Sequence, residues 1–197
     1  TLDVTLGSLT APMWPIAAQV TLDDVQLKGG KKCDLKLDTK LDLDLDKWGV
    51  KLEKLHLGVD DVTLDGHGSL LTLLTKPSFQ DFVITSPALD FEELLACYPT
   101  ARASLPPGSK LHGKAQLDVK AKGDADKQTL QATLDLTKLD VLDPGTLVKP
   151  PGVPLTVKVD GDFTGADATL RSLGLLLGPL DLTVAGTVKN FAKPTFD

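Results

Sequence analysis

The chain has 197 residues, 42% of them apolar but only 5% aromatic, and a net charge of −6. That length admits one sizeable core or two small ones. The acidic balance excludes nucleic acid as a partner, because the Lys residues alternate with Asp along the same runs instead of clustering to neutralise phosphates. No run of about 18 apolar residues occurs; the nearest, Leu170 to Leu182, is interrupted by Arg171, Gly174, Gly178 and Pro179, so nothing reads as a membrane-spanning helix.

In chain order, apolar residues keep a two-residue beat over Leu2 to Leu6, Val20 to Leu27, Cys33 to Asp46, Val50 to Val59, Val62 to Leu74 and Phe82 to Ile84. Within Cys33 to Asp46, Leu35, Leu37, Leu41, Leu43 and Leu45 share one face, while Asp34, Lys36, Asp38, Asp42 and Asp44 share the other: a long strand with one wet face. The beat breaks at Asp90. An Asp able to cap, Glu92 and Glu93 in the first turn, Phe91, Leu94, Leu95 and Tyr98 at three-to-four spacing, and Pro99 as a stop predict a short helix over 90–98. Its apolar side is expected either to lie on the sheet as a lid or to serve a crossover connection between repeats. Alternation resumes over Leu111 to Lys122, Leu130 to Leu139, Leu155 to Phe163, Ala168 to Leu177 and Leu180 to Val188. Punctuation such as Gly29-Gly30, Asp65-Gly66 and Pro150-Pro151-Gly152 suits antiparallel hairpins. The expected fold is all-β with one short helix, its long antiparallel strands forming a curled groove or an open sandwich.

The two halves repeat. A shift of 118 positions, without a gap, places Leu37, Leu41, Leu45, Leu55 and Leu57 on Leu155, Val159, Phe163, Leu173 and Leu175. One inserted residue later Lys76-Pro77-Ser78-Phe79 meets Lys193-Pro194-Thr195-Phe196, and a shift of 114 puts Val20 and Leu22 on Leu134 and Leu136. Residues 1–197 therefore read as one continuous module of about one and a half copies, with the first core at 20–79 and a second, incomplete copy at 134–197. Periodic sheets of this kind make long surfaces instead of a single pocket. The chain starts inside an alternating run and stops where the first copy goes on into another strand, so it is expected to be a piece of a longer parent.

Catalytic chemistry finds no residues to stand on. His56, His67 and His112 lie far apart, and no phosphate-binding glycine loop or nucleophile elbow occurs. Asp42, Asp44, Asp46 and Glu53 copy the acidic spacing of a calcium loop, but Lys47 stands where the sharp turn needs glycine. Cys33 and Cys97, 64 residues apart, are too distant for a zinc knuckle and read either as one disulfide or as two buried thiols. No enzyme, cofactor or metal is expected. The candidate site is the apolar face itself, represented by Leu37, Leu41, Leu45, Leu55, Leu57, Leu155, Val159, Leu173 and Leu175. Either a second sheet or bound acyl chains must cover it, and a uniform Leu surface leans toward hydrocarbon.

The succession Ser86-Pro87-Ala88-Leu89-Asp90-Phe91-Glu92-Glu93-Leu94-Leu95 followed by Pro99, then Leu105-Pro106-Pro107-Gly108 and Leu111-His112-Gly113, then the run Leu173 to Val188, resembles AsmA-family proteins, relatives of TamB in the Gram-negative periplasm. The resemblance covers Leu55 to the end and, through the repeat, the earlier strands more loosely. It implies a repeating β-groove, an inner-membrane helix ahead of the chain, and a periplasmic role in moving or holding phospholipid during outer-membrane biogenesis. The expected function is thus lipid binding and transport without catalysis, with phospholipid or another acyl lipid as partner and envelope proteins as further partners. The alternative is a non-catalytic β-sandwich scaffold that binds protein partners in an envelope or secretion assembly.

Overall fold

Leu and Val alternating with Asp, Lys and Thr favour extended backbone, since each residue then lies on a pleated surface that is apolar on one side and wet on the other. A computed structural model of the chain, describing residues 1–8, 13–46, 48–72, 78–124, 126–143, 147–164, 167–189 and 195–196, has this form. Its strands are β1 (Leu2–Leu6), β2 (Met13–Gln26), β3 (Lys32–Asp44), β4 (Gly49–Val59), β5 (Val62–Leu71) and β6 (Ser78–Asp90), then β7 (Lys110–His112), β8 (Lys114–Gly123) and β9 (Gln128–Asp135). They continue as β10 (Asp140–Asp143), β11 (Leu147–Lys149), β12 (Leu155–Phe163), β13 (Ala168–Leu177), β14 (Leu180–Lys189) and β15 (Thr195–Phe196), with helices α1 (Phe91–Cys97) and α2 (Pro99–Ala103) between β6 and β7. Leu73 and Leu74 of the expected run, Lys47, and the Lys-Pro pairs at 76–77 and 193–194 lie outside the described residues.

The architecture is all-β and antiparallel: an open, curled sheet of twelve strands in the order β1-β2-β3-β4-β5-β6-β8-β9-β12-β13-β14-β15, and a three-stranded sheet in the order β11-β10-β7. Among the described residues two short helices stand where a single one was expected. Asp90 caps α1 by accepting from the Glu92 and Glu93 amides at 3.1 and 3.2 Å. Tyr98 leaves helical geometry at φ −116°, and Pro99, which has no amide to lose, opens α2. The expected strand over Leu111 to Lys122 breaks at Gly113, where φ is +105° and a Cβ would stand 2.6 Å from the Lys138 carbonyl oxygen. That break sends β7 to the small sheet and β8 to the large one.

Pairing registers make the repeat structural. Val50↔Leu70, Leu52↔Gly68, Leu55↔Gly66, Leu57↔Leu64 and Val59↔Val62 become Ala168↔Val188, Leu170↔Gly186, Leu173↔Val184, Leu175↔Leu182 and Leu177↔Leu180, with the same bulge. Upstream, Leu2↔Val20 and Val4↔Ala18 correspond to Leu117↔Leu134 and Val119↔Ala132, so that β1 answers to β8. The ungapped alignment fails in one place. Leu37 faces Leu57, but Leu155 faces Leu177, so Leu155 takes the place of Leu35 and the alignment needs a two-residue gap. The gap falls in a hairpin: six residues, 44–49, separate the paired Leu43 and Val50, whereas four, 164–167, separate Phe163 and Ala168.

The core is displaced to one rim of the sheet. Among the described residues, eight apolar ones are buried: Cys33, Val59, Val62, Cys97, Ala115, Leu139, Val141 and Leu155. All lie where β3, β5, β8 and β12 begin, where β4 ends, or in the segments joining strands at that same rim.

Candidate functional site: the apolar face

Residues directly opposite each other in an antiparallel pair point to the same side of the sheet. Applied strand by strand, this rule puts Leu37, Leu41, Leu55, Leu57, Leu155, Val159, Leu173 and Leu175 on one face. Leu45, the ninth, lies half-buried in the turn just past β3. The face also takes in Leu2, Val4, Val20, Leu64, Ile84, Val119, Leu134, Val157 and Leu182, all within alternating runs. It runs across the sheet from β1 to β14. Bulges at Glu53–Lys54 and Arg171–Ser172 place the extra residue on the opposite side and leave the apolar set in phase.

This face is not packed like an interior. Leu57 is 39% exposed, Leu173 37% and Leu182 47%, and the other strand residues among the nine are half-buried except Leu155. The described buried cluster is small: Cys33, Val59 and Cys97, with Leu35 and Leu94 packed against it. It forms where α1 crosses the rim of the apolar face. The Cys33–Cys97 disulfide, with Cα atoms 6.0 Å apart, ties the helix to β3 and resolves the open reading of the two cysteines. Lys31 reinforces the join. Its ammonium pairs with Asp60 at 2.8 Å and with Glu93, and its amide donates to the Ala96 carbonyl at 3.0 Å. Lys31 holds the Asp60 carboxyl below the usual carboxylate range, helped by the Asp34 amide at 2.7 Å.

The expected lid side of the helix divides. Leu94 reaches the cluster, Phe91 and Leu95 are half-buried, and Tyr98 is 41% exposed. The helix thus closes one end of the apolar face while also carrying the chain from β6 toward β8. Asp60 lies 3.9 Å from the Cys97 sulfur, but both sulfurs of this Cys-Asp-Cys group are spent in the disulfide. Two further rim features had no sequence signal that distinguished them. Lys149 is 1% exposed and donates to the carbonyls of Thr137 at 3.1 Å, Pro150 at 3.3 Å and Leu139; burial pushes its ammonium pKa down. Ser86, also buried, donates to the Thr63 carbonyl.

The opposite face is polar and laced with ion pairs. Lys54 pairs with Asp38, Lys40 with Glu53, and Lys51 with Asp42 and Glu53, which occupies two of the residues read as a calcium-like spacing. His56 pairs with Asp65 at 2.7 Å and His112 with Glu92, while His67 is exposed on β5, so the three histidines do not converge. A cavity of about 460 Å³ opens on this side, lined by Asp65, Thr85, Gln116, Asp118, Thr133 and Asp135 among others.

In the second copy Arg171 bridges Asp160 and Asp162, and Asp162 also accepts from Thr129 Oγ1 at 2.8 Å and pairs with Lys127 at 3.2 Å. Arg171 first, then Thr129, hold the Asp162 carboxyl down to about 2. A depressed carboxylate stabilises the fold above its unfolded pKa, and that contribution disappears as pH falls through the folded value. The difference in melting temperature between the native chain and Asp162→Asn is therefore expected to be constant above pH ~4 and to shrink toward zero near pH ~2. A difference that persists unchanged at pH ~2 would remove the network from the stability balance.

Among the described residues, no helix is long and apolar enough to cross a membrane. In comparisons with known proteins, the chain matches no protein-family profile, no curated protein and no solved structure.

Proposed function

We propose that this chain is a periplasmic segment of an AsmA-like envelope protein, binding phospholipid acyl chains along its Leu/Val face and moving or holding them there without catalysis. The observation that carries the reading is the predominantly apolar face that runs from β1 to β14, whose members Leu57 and Leu173 remain 39% and 37% exposed. Apolar surface left in water costs about 25 cal/mol per Å², and contiguous patches beyond a few hundred Å² mark binding surfaces. Acyl chains suit a floor of Leu and Val with few aromatics, because disordered hydrocarbon needs area and not interlocking shapes. The ion-paired opposite face is suited to water. The Cys33–Cys97 disulfide supports an oxidising compartment such as the periplasm. Anchoring of the parent in the inner membrane and a part in outer-membrane biogenesis rest on the resemblance alone.

Native mass spectrometry of the chain, purified from a bacterial periplasm without detergent, tests the proposal. The expected spectrum contains adducts with phospholipid masses that disappear on solvent extraction. A spectrum of bare protein, or of protein bound to another polypeptide, favours the scaffold alternative.

A further inference from the structure

We infer that the cavity enclosed by α1, α2 and β7 takes the phosphate monoester head of an amphiphile, gripped by Arg102 and Lys110. This rests on the lipid reading and names the head that the bound lipid carries. The cavity measures about 370 Å³. Helix α1 sets it beside the apolar face: Leu94 packs on the cluster that ends that face, while Glu92 and Leu95, three residues apart on another side of the helix, line the cavity. Backbone bonds hold the other walls. The Leu105 amide donates to the Arg102 carbonyl and the Ser109 amide to the Pro106 carbonyl, both at 3.1 Å, and Lys110 and His112 share one side of β7, which is paired to β10.

The charges at this opening do not cancel. Of the chain's two arginines, Arg171 is saturated by Asp160 and Asp162, whereas among the described residues Arg102 has no ion-pair partner, and neither has Lys110. The acids nearby are engaged elsewhere. Glu92 is paired with His112, Asp90 caps α1, Asp143 accepts from Ser109 Oγ at 2.7 Å, and Asp140 acts on His112 and on the buried Lys149. A chain of net charge −6 thus keeps two unneutralised cations at one cavity, where they attract an anion. A phosphate monoester carries about −1.5 to −2 charges and three acceptor oxygens, enough to meet the Arg102 fork and the Lys110 ammonium together. A carboxylate offers one charge and two oxygens. Leu95 and Leu105, both half-buried in the lining, give the first carbons of a hydrocarbon tail an apolar wall that free phosphate would not use.

Calorimetric titration of the whole chain with dihexanoyl phosphatidic acid, kept below its micelle concentration, tests the inference. Saturable binding is expected, at least about tenfold tighter than that of inorganic phosphate or of dihexanoyl phosphatidylcholine, whose head is a zwitterionic diester. Arg102→Gln and Lys110→Gln should each weaken it about tenfold or more, as the loss of a charge-assisted hydrogen bond requires. Lys158→Gln, an exposed lysine on the polar face, should leave it unchanged. Both cavity side chains are exposed, so the melting temperature of each variant should match that of the native chain. Undiminished binding when Arg102→Gln and Lys110→Gln are combined overturns the cavity while leaving the lipid reading intact. Inorganic phosphate bound as tightly as the lipid overturns the amphiphile. Absence of binding overturns the inference outright, and native mass spectrometry reads the lipid proposal separately.

Discussion

Replacing Cys33 and Cys97 together by alanine is expected to destabilise the chain by about 4 kcal/mol, the chain-entropy cost of releasing a loop with a sequence separation of 64. For a chain of this length that corresponds to a fall of roughly 8–16 °C in melting temperature. The effect should be large because little else ties α1 to that rim: the described cluster around the disulfide has three buried members, two of which are the cysteines. A seven-residue helix has no stability of its own. Freed from β3, α1 should lose amide protection while β3, β4 and β5 keep theirs. Thermal melts followed by circular dichroism, with hydrogen exchange on the same samples, check both parts. A fall of less than about 3 °C would mean that Leu94 and the Lys31 ion pairs suffice to hold the helix.

Asp substitutions on the apolar face are expected to separate lipid binding from folding. Leu57 and Leu175 lie on the open part of the face, 39% exposed and half-buried respectively, so a carboxylate there reaches water once lipid leaves. Leu57→Asp and Leu175→Asp should each cost about 1 kcal/mol of stability, the span of strand preferences, and reduce recovered phospholipid by at least about half. Leu155→Asp is the internal contrast. Leu155 is 8% exposed at the closed rim, and an unpaired carboxylate buried there should cost several kcal/mol, a large part of the about 5–15 kcal/mol that holds a domain. Phosphate analysis of extracted protein beside a melting curve reads both quantities. Unfolding of Leu57→Asp to the same extent as Leu155→Asp would mean that the face is a closed interior.

Much of the fold was legible because side chains in strands repeat with period two. Leu2 to Leu6, Leu155 to Phe163 and Ala168 to Leu177 are strands to the residue. The repeat alignment was two residues out between β3 and β12, yet Leu155 and Val159 kept their side, because a slip of two preserves the face and only a slip of one reverses it. Features set by long-range packing were not legible. The split at Gly113 depends on the Lys138 carbonyl, which a local pattern cannot foresee. In β11 the polarity is inverted, with Val148 72% exposed and Lys149 buried, because three carbonyls converge on its ammonium. The pairing of Cys33 with Cys97 likewise needed coordinates, since spacing alone left free thiols as an equal reading.

The central claim, that hydrocarbon covers the Leu/Val face, is most directly tested with a phospholipid carrying a photoreactive group in its acyl chain, followed by mapping of the labelled residues. Labels should concentrate on Leu37, Leu57, Val159, Leu173 and Leu175 and their same-face neighbours, and spare Lys54, Lys158 and Asp160 on the other side. Labelling spread equally over both faces, or concentrated around the polar cavity at Asp65, Asp118 and Asp135, would contradict it.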